Sequence, residues 1–204
     1  SVTISGSGSD IWGSADAFHV HYKALGQDGS LVARLTSQGN SNPWAKSGLM
    51  IRDSLEPNSS YAYIAKTPGN GTVFQYRTQA DENSRTQDVN QQALPLWLKI
   101  ERSGPNITAY TSTTGSNWQK AGTISPSMTD LNYIGFETTS HNNYALNEAV
   151  FDNISNNISN IGPEISTGTI TNATIDTATL LNASVIDDGL PNNTAPLVNW
   201  TQIQ

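Results

Sequence analysis

The chain has no cysteine, few charges and no long apolar run, and each shortage removes a class of protein. Without cysteine no disulfide staples the fold and no thiolate serves as nucleophile or metal ligand, so a hydrophobic core must stabilise it. No stretch reaches the 18 apolar residues that would read as a membrane-spanning helix. No basic-then-apolar segment opens the chain, so we expect a mature or excised piece of a longer protein whose signal lies outside it. Bases are missing from one part: residues 155–204 hold four acids and no Lys or Arg, whereas residues 1–154 hold all ten bases and thirteen acids. The net charge is −7. An acidic chain without a basic stripe is a poor partner for phosphate backbones. Neither nucleic acid nor membrane insertion is expected.

Ser, Thr, Asn and Gly are abundant instead, and apolar residues alternate with polar ones in short runs. In AFHVHYKAL, Phe18, Val20 and Tyr22 point one way and His19, His21 and Lys23 the other, which is the period of a half-buried strand. The Gly26-Gln27-Asp28-Gly29 turn, followed by Leu31, Ala33 and Leu35, predicts a hairpin. The stretch from Asn42 to Arg77 reads as three strands of a meander, with Pro68-Gly69-Asn70-Gly71 as its strongest turn signal. Leu49, Ile51, Phe74 and Tyr76 take one face and Arg52, Gln75 and Arg77 the other. The polar stretch Thr78 to Gln92 reads as a long surface loop. Beyond it Leu96, Leu98, Ile100, Ile134, Phe136, Ala149 and Phe151 continue the alternation. No helical period persists for ten residues. The pattern predicts an all-β fold, a two-sheet antiparallel β-sandwich.

From Ser155 the texture changes. Residues 155–166 look like a linker, and residues 167–204 look like a partial Ig-like β segment that ends before its sheets are complete. We expect the natural protein to continue past Gln204, joining this chain to other domains.

Several runs in fixed order carry a resemblance: DIWGSADAFHVHYKAL, DGSLVARLTSQGNSNPWAKSGLMIRDS, TPGNGTVFQYRT, PLWLKIERSG, GSNWQKAG, YIGFETTSHNN and FDNIS. Over about residues 1–154 the chain resembles the concanavalin A-like jelly-roll modules of the domain-of-unknown-function 1349 kind. The tail, around ASVIDDGLPNNTAPLVNW, is similar to the opening of a polycystic-kidney-disease-type or Ig-like repeat. The resemblance implies a lectin-like or laminin-G-like module of a large secreted or surface bacterial protein. It implies no established ligand, because fold does not supply function.

The candidate site follows from the face opposite the core. Sugars are recognised by aromatic platforms and by planar polar groups making paired hydrogen bonds. Arg52, Gln75, Arg77 and Glu137 on one sheet surface, with Tyr63 and Trp44, offer that combination, and His141, Asn142 and Asn143 form a polar rim beside it. Trp12, following Asp10, is expected to pack. On this reading Arg52→Ala or Arg77→Ala removes ligand affinity and leaves stability unchanged. The alternative is a solvated sheet face, with Glu137 in an ion pair with Arg52 or Arg77. If the terminal strands pair, Asp10, Asp16 and Asp152 come together as candidate ligands of a structural Ca²⁺, although no DxDxDG spacing is present. His19 and His21 lack the partners of a zinc site. No nucleophile, P-loop or dinucleotide motif occurs. The expected function is a noncatalytic extracellular carbohydrate-binding module whose partner is a polysaccharide or glycan. A spacer or interaction domain of an adhesin is the alternative, and a glycoside hydrolase the third reading.

Overall fold

The computed structural model describes residues 1–158, 164–167 and 183–186. Among these residues the chain is all strand, turn and loop, with no helix. It begins with β1 (Val2–Gly6), the two-residue strands β2 (Ile11–Trp12) and β3 (Ala15–Asp16), β4 (His19–Leu25) and β5 (Gly29–Gln38). The middle holds β6 (Lys46–Arg52), β7 (Tyr61–Thr67), β8 (Gly71–Arg77), β9 (Arg85–Asn90) and β10 (Leu96–Ser103). β11 (Asn106–Ser112), β12 (Gln119–Ile124), β13 (Asn132–Thr139) and β14 (Asn147–Ile158) complete the sandwich. β15 (Glu164–Thr167) and β16 (Ala183–Ile186) pair antiparallel with each other, Ile165 opposite Val185. The chain divides into two compact units, Ser1–Ser159 and Asn160–Gln204. Apart from that strand pair, the Ig-like segment expected over residues 167–204 lies outside the described residues.

Two six-stranded sheets face each other, a back sheet in the order β1-β14-β5-β10-β11-β12 and a front sheet in the order β4-β13-β6-β7-β8-β9. The pairings are antiparallel, so successive side chains alternate between the core and the outer faces. The core has the residues that the alternation assigns to it. Leu49, Ile51, Ile64, Phe74, Ile134 and Phe136 from the front sheet meet Leu31, Leu35, Leu96, Leu98, Ile100 and Phe151 from the back. Phe136 and Phe151 contact across the layers with ring centroids 4.9 Å apart. Each such side chain withdrawn from water contributes about 1.5–3 kcal/mol.

Three connections differ from the sequence reading. The turn after Leu25 does not close a hairpin: β4 pairs with β13 in the front sheet and β5 with β10 and β14 in the back, so this turn crosses between layers. The segment read as a loop over Thr78 to Gln92 contains β9, which pairs with β8 as the outermost front strand. Its side chains are largely exposed, so the apolar alternation that marks a buried strand is missing. In β4 the period is as read but the faces are exchanged: His19, His21 and Lys23 share the side of Thr138, Phe136 and Ile134, at the margin of the core. Val20 and Tyr22 lie on the outer face of this edge strand.

The outer face of the front sheet carries a second apolar layer. Ile11, from the short hairpin of β2 and β3, packs with Met50, Tyr61, Tyr63, Ala65 and Val73, with Phe18 against them. The N-terminal segment therefore lies over this face.

Candidate functional site

This covering segment decides the fate of the expected site. Arg52, Gln75, Arg77, Tyr63 and Glu137 do share one sheet face, but they are buried beneath it; Arg77 is 0% exposed and Arg52 1%. Arg77 Nη1 and Nη2 donate to Asp16 Oδ2 and Oδ1 at 2.9 and 2.8 Å, and its other bonds reach the carbonyls of Gly13, Pro57, Ser59 and Glu82 and the Ser84 hydroxyl. Arg52 Nη2 lies 3.7 Å from Asp16 Oδ2 and donates to Glu56 O at 2.6 Å, and its guanidinium stacks over Phe18. Both arginines thus anchor the N-terminal segment and the 53–60 loop to the sheet. The expectation that Arg52→Ala or Arg77→Ala leaves stability unchanged is overturned, because either change strands buried polar partners.

Glu137 makes no ion pair with either arginine within 4.0 Å. Its Oε2 is buried without a partner, and burial pushes its carboxyl well above the ordinary range, against the opposing pull of Arg52 and the Met50 amide. Tyr63 donates to Glu137 O at 3.2 Å and is itself buried. Neither reaches solvent.

What remains open is a cleft of about 350 Å³ lined by Asp10, Trp12, Trp44, Lys46, Gln75, Thr86 and His141. Trp12 comes from the covering hairpin and Trp44 from the loop before β6, and both are 44% exposed. The expectation that Trp12 packs is therefore corrected. Asn42 Oδ1 accepts from Trp44 N at 2.8 Å, a side-chain turn that sets the approach to the indole. The floor is one linked polar group. Asp10 Oδ1 accepts from Ile11 N at 2.8 Å and from the Lys46 ammonium, while Asp10 Oδ2 lies 3.3 Å from His141 Nε2. Gln75 Nε2 donates to Ile11 O and Tyr61 Oη, tying the floor to the hairpin.

His141 is positioned by backbone. Its φ is 51°, in the left-handed region that histidine visits more readily than most residues. The following turn is held by Asn142 N donating to Gly8 O at 3.1 Å. Asn142 Oδ1 accepts from Tyr144 N, so Asn142 serves the loop, whereas Asn143 and the 99% exposed Tyr144 stand in solvent beside the cleft.

Of the expected ligand-binding residues the cleft gathers Trp44, Gln75 and His141. It adds Asp10, Trp12, Lys46 and Thr86. Lys46 and Thr86 gave no sequence signal, since a lysine opening a strand and a threonine in a polar stretch are ordinary surface residues.

The three aspartates do not fit a shared Ca²⁺ site. β1 does pair with β14, but Asp16 is held by Arg77, Asp10 by Lys46, and Asp152 by Arg34, whose Nε and Nη2 donate to it at 2.7 and 2.6 Å. Each carboxylate already has a cation, and among the described residues no three His, Asp or Glu side chains cluster. About six to eight oxygens are needed around Ca²⁺.

No protein-family model matches the chain, and no curated protein matches it either. Solved structures do. A functionally unknown protein from Saccharomyces cerevisiae superimposes with a TM-score of 0.62 at 14% identity, over 78% of this chain and 88% of that one. The GH43 protein BlXynB from Bacillus licheniformis superimposes with a TM-score of 0.51 at 16% identity, over 65% of this chain and 28% of that one. This chain thus corresponds to little more than a quarter of the GH43 protein's length. At such identities the likeness concerns the fold alone, a two-sheet antiparallel β-sandwich of the jelly-roll kind.

Proposed function

We propose that this chain carries a noncatalytic carbohydrate-binding module of the domain-of-unknown-function 1349 kind, part of a larger secreted or cell-surface protein. The sequence puts the module's end at residue 154, with a linker over 155–166 and a partial Ig-like segment over 167–204; because β14 stays paired with β5 to Ile158, we extend the module to residue 158 and start the linker after it. The observation that carries the reading is the pair of exposed indoles, Trp12 and Trp44, bordering one polar cleft. Indole faces take the C–H faces of sugar rings, and Asp10, Thr86 and His141 supply hydrogen bonds to hydroxyls. Catalysis is a poor fit, since glycoside hydrolysis ordinarily takes two carboxyl groups about the scissile bond and, among the described residues, Asp10 is the one carboxylate lining this cleft.

A glycan array probed with residues 1–204, with and without a chelator, tests the proposal. Binding to one sugar class is expected in both conditions. Trp12→Ala and Trp44→Ala should each weaken it about tenfold or more, as loss of an aromatic anchor does, with the melting temperature close to wild type. A blank array from folded protein, or binding indifferent to both substitutions, rejects the cleft as the site and favours the spacer or interaction-domain reading.

A further inference from the structure

Two turns at one end of the front sheet are built alike. The sequence Asn-Pro-Trp-Ala over 42–45 and the sequence Asn-Asn-Tyr-Ala over 142–145 share their first and last residues and carry an aromatic residue third. In each, the Asn carbonyl accepts from the Ala amide, at 2.9 and 3.2 Å, and the Asn Oδ1 accepts from the amide of the aromatic residue, at 2.8 and 2.9 Å. An Asn that opens a turn and bonds the backbone two residues on fixes that turn locally, without help from packing. Each turn thereby holds an aromatic side chain out from the protein, Trp44 exposed over nearly half its surface and Tyr144 almost wholly in water.

The two turns are also neighbours. They issue from the same end of the paired strands β6 and β13, where Thr139 lies opposite Lys46. Ser41 Oγ donates to Ser140 O at 2.8 Å and joins the loops directly. The second loop closes back onto the same strand ends, since Asn147 Nδ2 donates to Ser47 Oγ and to Thr138 Oγ1, both at 3.0 Å. His141, the residue before the second turn, lines the indole cleft together with Trp44.

A lone exposed ring calls for no explanation. A ring presented by the same turn that presents Trp44, one hydrogen-bonded loop away from it, repeats a binding element. Tyrosine suits that use, because its rigid side chain offers a large contact area at a small ordering cost. The cleft itself, of about 350 Å³, lies at the low end of the roughly 300–1,000 Å³ of ligand pockets, so a longer ligand has to continue outside it. We infer that Tyr144 is a further aromatic platform of the carbohydrate site and that the ligand is a run of several linked sugars, which leaves the cleft past His141 and stacks again on Tyr144. This rests on the reading of the cleft as a sugar site and extends it from one sugar unit to a chain.

The test is calorimetric titration of residues 1–204 with cello-, xylo-, manno- and chito-oligosaccharides of one to six units. In the series that binds, affinity should rise with length beyond the disaccharide. Tyr144→Ala should remove about three- to tenfold of that gain, the scale of one aromatic stacking contact, while Tyr144→Phe, which keeps the ring face, should retain it. Trp44→Ala should weaken the short and the long members alike. An affinity that does not rise with length, a gain that survives Tyr144→Ala in full, or a Tyr144→Phe variant that behaves like Tyr144→Ala overturns the inference while leaving the cleft reading intact. Folded protein that binds no member of any series, or binds them regardless of Trp44, counts against the cleft reading and takes this inference with it.

Discussion

Arg77 and Asp16 form the polar centre of the front sheet's outer face. Both side chains are fully withdrawn from water, and the guanidinium binds the carboxylate through two parallel bonds. Removing one member leaves an uncompensated buried charge, a loss of about 3–5 kcal/mol, whereas replacing both with apolar side chains of similar volume can be nearly neutral. Arg77→Met and Asp16→Leu are therefore each expected to lower the denaturation midpoint sharply, and the double variant to recover much of the loss. Additive single effects in chemical denaturation would show that the pair is not coupled. The facing of Arg77 was legible, because Val73, Gln75 and Arg77 alternate with Phe74 and Tyr76. Its burial was not, because nothing within ten residues of Arg77 announces that a segment some sixty positions upstream will cover it. Trp12 was misjudged for the related reason that a two-residue strand has no period to read.

At the scale of elements, the central strands of the front sheet approach one another more closely than a side chain allows. A Cβ placed on Gly48 would lie 1.9 Å from Ile64 O on β7, a backbone atom fixed by the ladder between the two strands. Gly48→Ala should therefore destabilise the sandwich by about 1–3 kcal/mol or more, the usual cost of forcing extra volume into a packed site. Thermal unfolding checks this, and an unchanged melting temperature would show that the strands can part at no cost. The strands themselves were legible wherever one face is buried, as in β6, β7, β8 and β10. β9 escaped because an exposed edge strand imposes no apolar alternation. The crossing from β4 to β5 escaped because a glycine turn looks the same whether the next strand pairs beside its predecessor or passes to the other layer.

For the whole molecule, stability must depend on pH through Glu137. Burial holds its carboxyl pKa well above the ordinary 4.5, so between that value and the raised one the folded chain binds more protons than the unfolded chain. The stability it contributes is full at acid pH and declines as pH rises above about 4.5, by up to about 1.4 kcal/mol per pH unit. Glu137→Gln removes this titration. The melting-temperature advantage of the variant over wild type should accordingly widen from about pH 4.5 toward neutrality; a constant or shrinking difference would show that Glu137 ionises freely in the fold. The same whole-molecule view separates the two kinds of information in this chain. Period-two alternation is a local property, so the sequence by itself determined the strand class, the two-layer sandwich and the core face of most strands, β4 being the exception, where the faces are exchanged. Which outer face stays open was decided only by tertiary structure: residues 10–18 fold back over the front sheet, bury Arg52, Arg77 and Glu137, and bring Asp10 and Trp12 to Trp44, Lys46, Gln75 and His141 from distant loops and strands. That outcome depends on contacts between segments remote in sequence, which no local pattern encodes.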